Sequence, residues 1–303
     1  MTILCIAAVF ILTVVILLYP SVCLYYALNG LNLWFQKMIP ALFPFMVLSG
    51  IMIRMNLTES FTRLLSPVLR PLFRVNGNCI YGIFIGFLCG FPMGAHISAD
   101  LYERKRISKK EAEFLLAFCN NIGPVYFISF ALPTIGITAT GYALFGMYGI
   151  PLLYGLFLRY FVYRNDISDI TSKENQFSKP ISFLEALDDS IMASLNSITK
   201  LGGYMIIFNL LNVLPSLCAK NSIILSVSGC FLEITGSLLL AGKQIPLAAL
   251  CLLSFGGLSC IAQTYSMIKN TDLSLKKYIL HKIIISGVCA VYYLLLTYRS
   301  FLT

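Results

Sequence analysis

The sequence predicts an all-α, polytopic membrane protein with about seven to nine hydrophobic helices and a two-fold internal repeat. The chain has 303 residues, of which 58% are hydrophobic and only 12% are charged. Soluble domains carry roughly twice that charged fraction, so this chain has too few charges to cover a surface in water. Its long apolar runs favour helices over the short alternating strands of a membrane barrel. The lipid bilayer is therefore its expected surrounding.

Nine apolar segments approach the length of about 20 residues that a spanning helix needs. They are Thr2–Tyr19, Met38–Ile53, Cys79–Ala99, Ala112–Ala131, Ile137–Tyr160, Leu201–Leu214, Ile223–Ala241, Ile245–Met267 and Ile283–Leu302. The first is interpreted as a retained span, because it lacks the basic start and the small-residue cleavage site of a signal peptide. The layout indicates an N-terminal transmembrane half (1–163), a polar connector with an amphipathic interfacial helix (164–195) and a C-terminal transmembrane half (196–303).

Four charged connectors lie between the apolar segments: Arg54–Arg74, Glu103–Glu111, Arg159–Asp189 and Lys269–Lys282. Lys and Arg favour cytoplasmic loops, which accounts for the net charge of +9. No separate soluble domain is present to bind nucleic acid, so no nucleic-acid partner is expected. If all four connectors are cytoplasmic, Cys79–Ala99 and Ile245–Met267 each enter and leave on one side. Both are therefore predicted to be re-entrant or broken hairpins.

Glycine interrupts both of these predicted hairpins in the middle of the apolar run. The residues concerned are Gly90, Pro92 and Gly94 in the first, and Gly256, Gly257 and Gln263 in the second. Irregular backbone at membrane depth survives only where protein buries it or where it lines a water-filled cavity. Two interrupted segments in two halves are a pointer to a transport site. Glycine also serves the close packing of membrane helices, so a packing role is the alternative.

A third interruption is predicted within Phe118–Pro124, whose polar and turn-forming residues are Asn120, Asn121, Gly123 and Pro124. Carboxamides both donate and accept hydrogen bonds, which suits a polar ligand in an unwound helix. His96 follows the first interruption, with Asp100 four residues later on the same helical face. The two side chains either pair with each other, or His96 faces the cavity and binds an anionic solute.

Glu233 is an ionisable residue in the middle of the apolar segment Ile223–Ala241. Such residues are costly inside a membrane and are usually functional. Glu233 is predicted to bind a coupling cation, Na⁺ or H⁺, or alternatively to hold a neighbouring helix through hydrogen bonds. Asn209 and Asn212 are interpreted as residues that join helices.

Catalytic signatures are missing from the sequence. The chain has two histidines, far apart, and no nucleophile, phosphate-loop or zinc motif. Its ten cysteines lie mostly in apolar runs without Cys-x-x-Cys spacing, which is typical of buried hydrophobic residues. The expectation is a protein that is not an enzyme, with no catalytic residues, no cofactor and no metal.

Several of these motifs together resemble the nucleoside-recognition (Gate) domain family, over about Leu33 to Tyr298. The motifs are Leu42–Phe45, Gly86–Ala95, Ser108–Ala112, Phe118–Pro124, Gly229–Gly236 and Phe255–Gly257 with Gln263. The resemblance implies an architecture related to concentrative nucleoside transporters, in which helical hairpins and unwound helices surround a site near the bilayer midplane. It implies a small-molecule solute as the partner, and an oligomer is compatible with it.

More narrowly, the chain resembles the sporulation integral membrane proteins of this family. That resemblance implies transport of dipicolinic acid across the mother-cell-derived outer forespore membrane of a bacterium during endospore formation. The chain is shorter than that branch leads us to expect, and His96 stands where we expect a basic residue. The alternatives are a transporter of nucleosides or other small solutes, and a non-transporting membrane scaffold in spore assembly.

Overall fold

Helices make up most of the residues that the structure describes. A computed structural model describes residues 2–138, 140–167, 182–218, 222–241, 243 and 245–300, and within these residues no strand occurs. Five helices are long and apolar enough to cross a bilayer: Pro20–Arg54, Thr140–Val162, Phe183–Leu217, Pro246–Ile268 and Leu275–Leu296. The predicted all-α, polytopic membrane architecture is confirmed.

The predicted count of about seven to nine hydrophobic helices, two of them re-entrant or broken hairpins, is not confirmed. By length and composition, the described residues hold five spans, or six if Ser66–Phe73 and Gly77–Cys89, bent by 103°, form one. Three shorter apolar helices are Ile6–Leu18, Pro124–Ile135 and Ile223–Leu232. The count falls because several predicted segments are divided into helices that are too short to cross alone.

The long helix Pro20–Arg54 begins 18 residues before the predicted start at Met38. Its N-terminal part packs on Phe183–Leu217, and a Cβ atom on Gly30 would lie only 2.8 Å from the carbonyl oxygen of Met205. The indole of Trp34 donates a hydrogen bond to the carbonyl of Ile198 at 2.8 Å. Tertiary packing therefore stabilises a helix in this stretch. Its polar residues lower the mean hydropathy, so the sequence did not predict a span there.

The amphipathic segment and the next span form one helix instead of two. Phe183–Leu217 starts after Ser182, whose hydroxyl caps it by accepting a hydrogen bond from the Glu185 amide at 3.2 Å. The proposed boundary at residue 195 falls inside this helix. Residues 168–181 of the predicted connector lie outside the described residues.

The described residues include two helical hairpins and two broken helices, and the second broken helix is the long helix Pro246–Ile268. The first hairpin consists of Gly77–Cys89 and Met93–Glu103, and the first broken helix of Lys109–Phe118 and Pro124–Ile135. The second hairpin consists of Ser222–Leu232 and Ile234–Ala241, and the second broken helix of Pro246–Phe255 and Gly257–Ile268. A capping box between Ser108 and Glu111 opens the first broken helix, as the sequence predicted.

The hairpin of the C-terminal half is Ile223–Ala241, and the prediction of a straight helix there is wrong. A Cβ atom on Gly229 would lie 2.8 Å from the hydroxyl of Ser237. In a straight helix eight residues span about 12 Å, so the chain folds back at Glu233. Ile245–Met267, predicted as a hairpin, is instead one 23-residue span that is broken at Gly256.

Among the described residues, two basic residues assigned to connectors are buried inside helices instead. Lys282 belongs to the final helix, Leu275–Ser300, and Arg159 belongs to Thr140–Val162; both are buried. The Arg159 guanidinium donates to the backbone carbonyls of Arg74 at 2.9 Å and Ile167 at 3.0 Å. It also reaches the carbonyls of two nearer residues, Tyr163 and Arg164. Arg159 therefore joins the end of its helix to the turn that precedes the first hairpin.

Substituting Arg159 with lysine is expected to lower the free energy of unfolding by about 2 kcal/mol. A lysine keeps the charge but cannot reproduce the planar array of five donors that reaches several carbonyls at once. The midpoint of thermal unfolding in detergent measures the change, and Arg164→Lys, at an exposed position, is the matched control. Equal midpoints for Arg159→Lys and the unmodified protein would contradict this role.

Candidate functional site

A cavity of about 460 Å³ lies where both hairpins and both broken helices meet Pro20–Arg54 and Phe183–Leu217. Its volume is within the range of small-molecule sites, roughly 300 to 1,000 Å³. Its polar and aromatic lining includes Lys37, Phe91, Tyr126, Glu233, Thr235 and Gln263. Each interrupted element contributes to the lining, so the irregular backbone predicted from the sequence does border a cavity.

The tip of the first hairpin is locked against the break of the first broken helix. Gly90 has a φ of +77°, and a Cβ atom on it would lie 2.2 Å from the nitrogen of Gly123. Next to this contact, the amide of Phe91 donates to the carbonyl of Asn121 at 2.6 Å. Gly94 lies similarly close to the same break, since a Cβ atom on it would lie 2.5 Å from the carbonyl oxygen of Cys119. Glycine is required here because two backbones touch.

Asn120 joins three elements behind the cavity. Its side-chain carbonyl accepts from the amide of Ala95 at 3.3 Å. Its amide group donates to the hydroxyls of Thr264 at 2.9 Å and Tyr278 at 3.1 Å. The residue is fully buried and does not belong to the cavity lining. The contacts of Asn120 are thus with protein, where the sequence led us to expect contacts with a ligand.

Asn121 connects the same break to the buried lysine of the final helix. Its amide group donates to the carbonyl of Phe118 at 2.6 Å, and its side-chain carbonyl accepts from Lys282 Nζ at 2.8 Å. Lys282 also lies 4.6 Å from the centre of the Phe91 ring, in a cation–π contact. Sequence reasoning missed Lys282 by placing it in a loop. The signal available was its position among the apolar residues 278–280 and 283–285.

Glu233 lies at the tip of the second hairpin and forms part of the cavity lining. Its carboxylate accepts hydrogen bonds from the amide of Gly236 at 2.6 Å and the amide of Thr235 at 3.2 Å. It also accepts from Asn209 Nδ2 at 3.1 Å and from the hydroxyl of Thr235. The N-terminus of Ile234–Ala241 is a favourable place for this negative charge. Glu233 is therefore a helix-capping residue as well as a cavity residue.

The asparagines of Phe183–Leu217 join this helix to the second hairpin, as predicted. Asn209 contacts Glu233, and Asn212 donates to the hydroxyl of Ser237 at 3.2 Å. Glu233 therefore forms the hydrogen bond to a neighbouring helix that the sequence offered as an alternative, and it also lines the cavity.

The second break lies between the tips of both hairpins. A Cβ atom on Gly257 would lie 3.1 Å from the carbonyl oxygen of Phe231, at the end of the first helix of the second hairpin. A Cβ atom on Gly256 would lie 2.7 Å from the Phe91 ring. Gln263, on the following helix, lines the cavity and donates to the hydroxyl of Ser259 at 2.9 Å. The second break therefore contacts the tips of both hairpins.

The remaining predicted site residues lie away from the cavity lining. Pro92 is buried at the start of Met93–Glu103, and Pro124 opens Pro124–Ile135. His96 is half-buried on the first hairpin, and Asp100 pairs with Arg104 at 2.8 Å. Of the predicted residues, the structure brings Gly123, Glu233 and Gln263 together around the cavity.

Comparison with known proteins agrees with the motifs. Residues 35–148, which include the first hairpin and the first broken helix, match the family model described as nucleoside recognition (Gate). The chain is 25% identical to the sporulation integral membrane protein YlbJ of Bacillus subtilis (strain 168), over 96% of this chain and 81% of that protein. No solved structure matches the chain. The resemblance inferred from the motifs is confirmed.

Proposed function

We propose that this integral membrane protein is a secondary-type transporter or facilitator of a small polar or anionic metabolite, with no enzymatic step. The observation that carries the proposal is the cavity of about 460 Å³ at the meeting point of two hairpins and two broken helices. Discontinuous helices around a central site are typical of secondary transporters, because their free backbone groups and helix ends bind solutes and ions. A scaffold has no comparable need for broken helices around a cavity.

The proposed solute is dipicolinic acid, moved across the outer forespore membrane during endospore formation. The similarity to a sporulation integral membrane protein supports this choice over other small anions. A nucleoside is the second candidate, because the matched family model is described as nucleoside recognition.

Glu233 is the proposed coupling residue, for Na⁺ or H⁺. A carboxylate beside the cavity provides oxygen ligands for a cation or a site for a proton. It lies at the tip of the second hairpin, whose backbone contacts the second break at Gly257. A change in the charge of Glu233 therefore acts on the elements that enclose the solute.

Uptake into proteoliposomes tests the proposal. The purified full-length chain is expected to take up labelled dipicolinate with saturable kinetics, faster with an inward Na⁺ or H⁺ gradient than without one. Uridine is measured in parallel to test the nucleoside alternative, and protein-free liposomes are the control. If a folded, inserted protein moves neither solute, transport is contradicted and the scaffold interpretation replaces it.

A further inference from the structure

We propose that Lys282 makes the transport site selective for anions, by providing the ammonium group that binds a carboxylate of the solute. This inference rests on the proposed transport function and defines the chemical class of its solute.

The first argument is the burial of Lys282 without a counter-ion. Its side chain has 0% exposure and lies within the candidate span Leu275–Leu296. Lysines at the start of this helix and of Lys109–Phe118 are paired with carboxylates: Lys277 with Glu113, Lys109 with Asp272 and Lys110 with Asp166. In the described part of the chain, no carboxylate lies within 4.0 Å of Lys282. A charge at such depth is costly unless it is functional or compensated.

The second argument is the unused hydrogen-bonding capacity of the ammonium group. A lysine has three N–H donors. Among the described residues, one is satisfied by Asn121 Oδ1 at 2.8 Å, and the ring of Phe91 provides a contact at 4.6 Å. A carboxylate accepts strong, charge-assisted hydrogen bonds from an ammonium group. A carboxylate of the solute is therefore a chemically suitable acceptor for this ammonium group.

The third argument is the position of Lys282 directly behind the cavity wall. Phe91 lines the cavity and at the same time covers the ammonium group. Displacement of the Phe91 ring, which belongs to the tip of the first hairpin, exposes Lys282 to a solute in the cavity.

The two buried charges have separate roles in this arrangement. The Glu233 carboxylate is satisfied by four donors on the second hairpin and on Phe183–Leu217. Lys282 is on the final helix and contacts the first hairpin through Phe91. A coupling cation at Glu233 and an anionic solute at Lys282 can therefore be held by different elements at the same time.

The test compares solutes of one shape and different charge in proteoliposomes. Dipicolinate carries two carboxylates, whereas pyridine-2,6-dicarboxamide has the same outline and no charge. Both compounds are added as unlabelled competitors of labelled dipicolinate uptake by the unmodified protein. Dipicolinate is expected to inhibit that uptake at a concentration about tenfold or more lower than the diamide requires. Lys282→Met and Lys282→Gln are expected to lose this preference. Gln retains hydrogen bonding to Asn121, and Met replaces a buried charge by an apolar chain of similar length.

Lys276→Met is the matched control, since Lys276 lies on the same helix as Lys282 but is exposed and does not line the cavity. Its preference for dipicolinate is expected to stay within about twofold of the unmodified protein. The inference is overturned if the unmodified protein binds both compounds equally, or if either folded Lys282 variant keeps the full preference. Absence of any uptake by the unmodified protein would instead contradict the proposed function itself. If both variants fold poorly, equal competition by the two compounds on the unmodified protein still overturns the inference.

Discussion

Glu233→Gln is expected to remove the dependence of uptake on a cation gradient while the protein stays folded and inserted. Glutamine keeps the shape of the side chain but loses the charge and the ability to take up a proton. A coupling free energy between two sites typically changes affinity by about 5- to 150-fold, and a loss of that size is expected in gradient-driven uptake. Without a gradient, the slow facilitated uptake is expected to remain.

The structure also predicts a stability cost for Glu233→Gln that must be measured separately. Both carboxylate oxygens accept hydrogen bonds, so the amide NH₂ group of glutamine faces a donor wherever it points. An unsatisfied buried group of this kind costs about 1–3 kcal/mol. The midpoint of thermal unfolding in detergent measures this cost independently of uptake.

Glu113→Gln provides the matched control for the coupling experiment. Glu113 is also a buried carboxylate, but it pairs with Lys277 at 2.7 Å and does not line the cavity. Its substitution is expected to lower stability and to leave the gradient dependence unchanged. Gradient-driven uptake that persists in the Glu233 variant, or disappears in both variants, would show that Glu233 is not the coupling residue.

Gly90→Ala is expected to prevent folding or to lower the free energy of unfolding by about 3 kcal/mol or more. The left-handed φ of +77° is unfavourable for alanine, and the added Cβ atom would lie 2.2 Å from the nitrogen of Gly123. Both partners in this contact are backbone, so no side chain can rotate away. Separation of the first hairpin from the first broken helix is the expected consequence, and uptake is lost with it.

Gly136→Ala is the control for a positive φ without a close contact. Gly136 has nearly the same φ, +76°, with a ψ of 23° in the left-handed helical region, whereas Gly90 has a ψ of −158° that only glycine readily adopts; a Cβ atom on Gly136 would meet nothing within 4 Å. Only the conformational cost applies, so the expected loss is about 1–2 kcal/mol. Thermal unfolding and proteoliposome uptake are measured for both variants. Similar losses for the two would refute the close approach of the two backbones at Gly90.

Features that depend on local chemistry could be predicted from the sequence. The sparse charge indicated the membrane, and glycine and proline indicated the interruptions at Gly90, at 119–123 and at Gly256. Each of these depends on the residue itself or its immediate neighbours, as does the capping box between Ser108 and Glu111. Even the helix-joining roles of Asn209 and Asn212 followed from their polarity within an apolar run.

The errors concern residues whose environment is provided by distant segments. Arg159 and Lys282 look like loop residues because other charged residues, Arg164 and Lys277, lie within about two helical turns of them in the sequence, yet packing buries both. Glu233 looks like a mid-helix residue because the run around it is apolar, yet the chain folds back there and the carboxylate caps the second helix. Hydropathy averages over neighbours in the sequence and does not register neighbours in space.

The same distinction applies to the candidate site. Some of its features follow from the amino-acid sequence, and others follow only from the fold. Composition and the glycine pattern specify a membrane protein with broken helices, since solvation and backbone freedom are properties of short stretches. Which polar groups border the cavity, and which join helices behind it, depends on pairings between remote residues. Lys282 and Asn121 are 161 residues apart in the chain and 2.8 Å apart in the fold. No local pattern encodes that contact, because it exists only once the hairpins, the broken helices and the final helix have packed together.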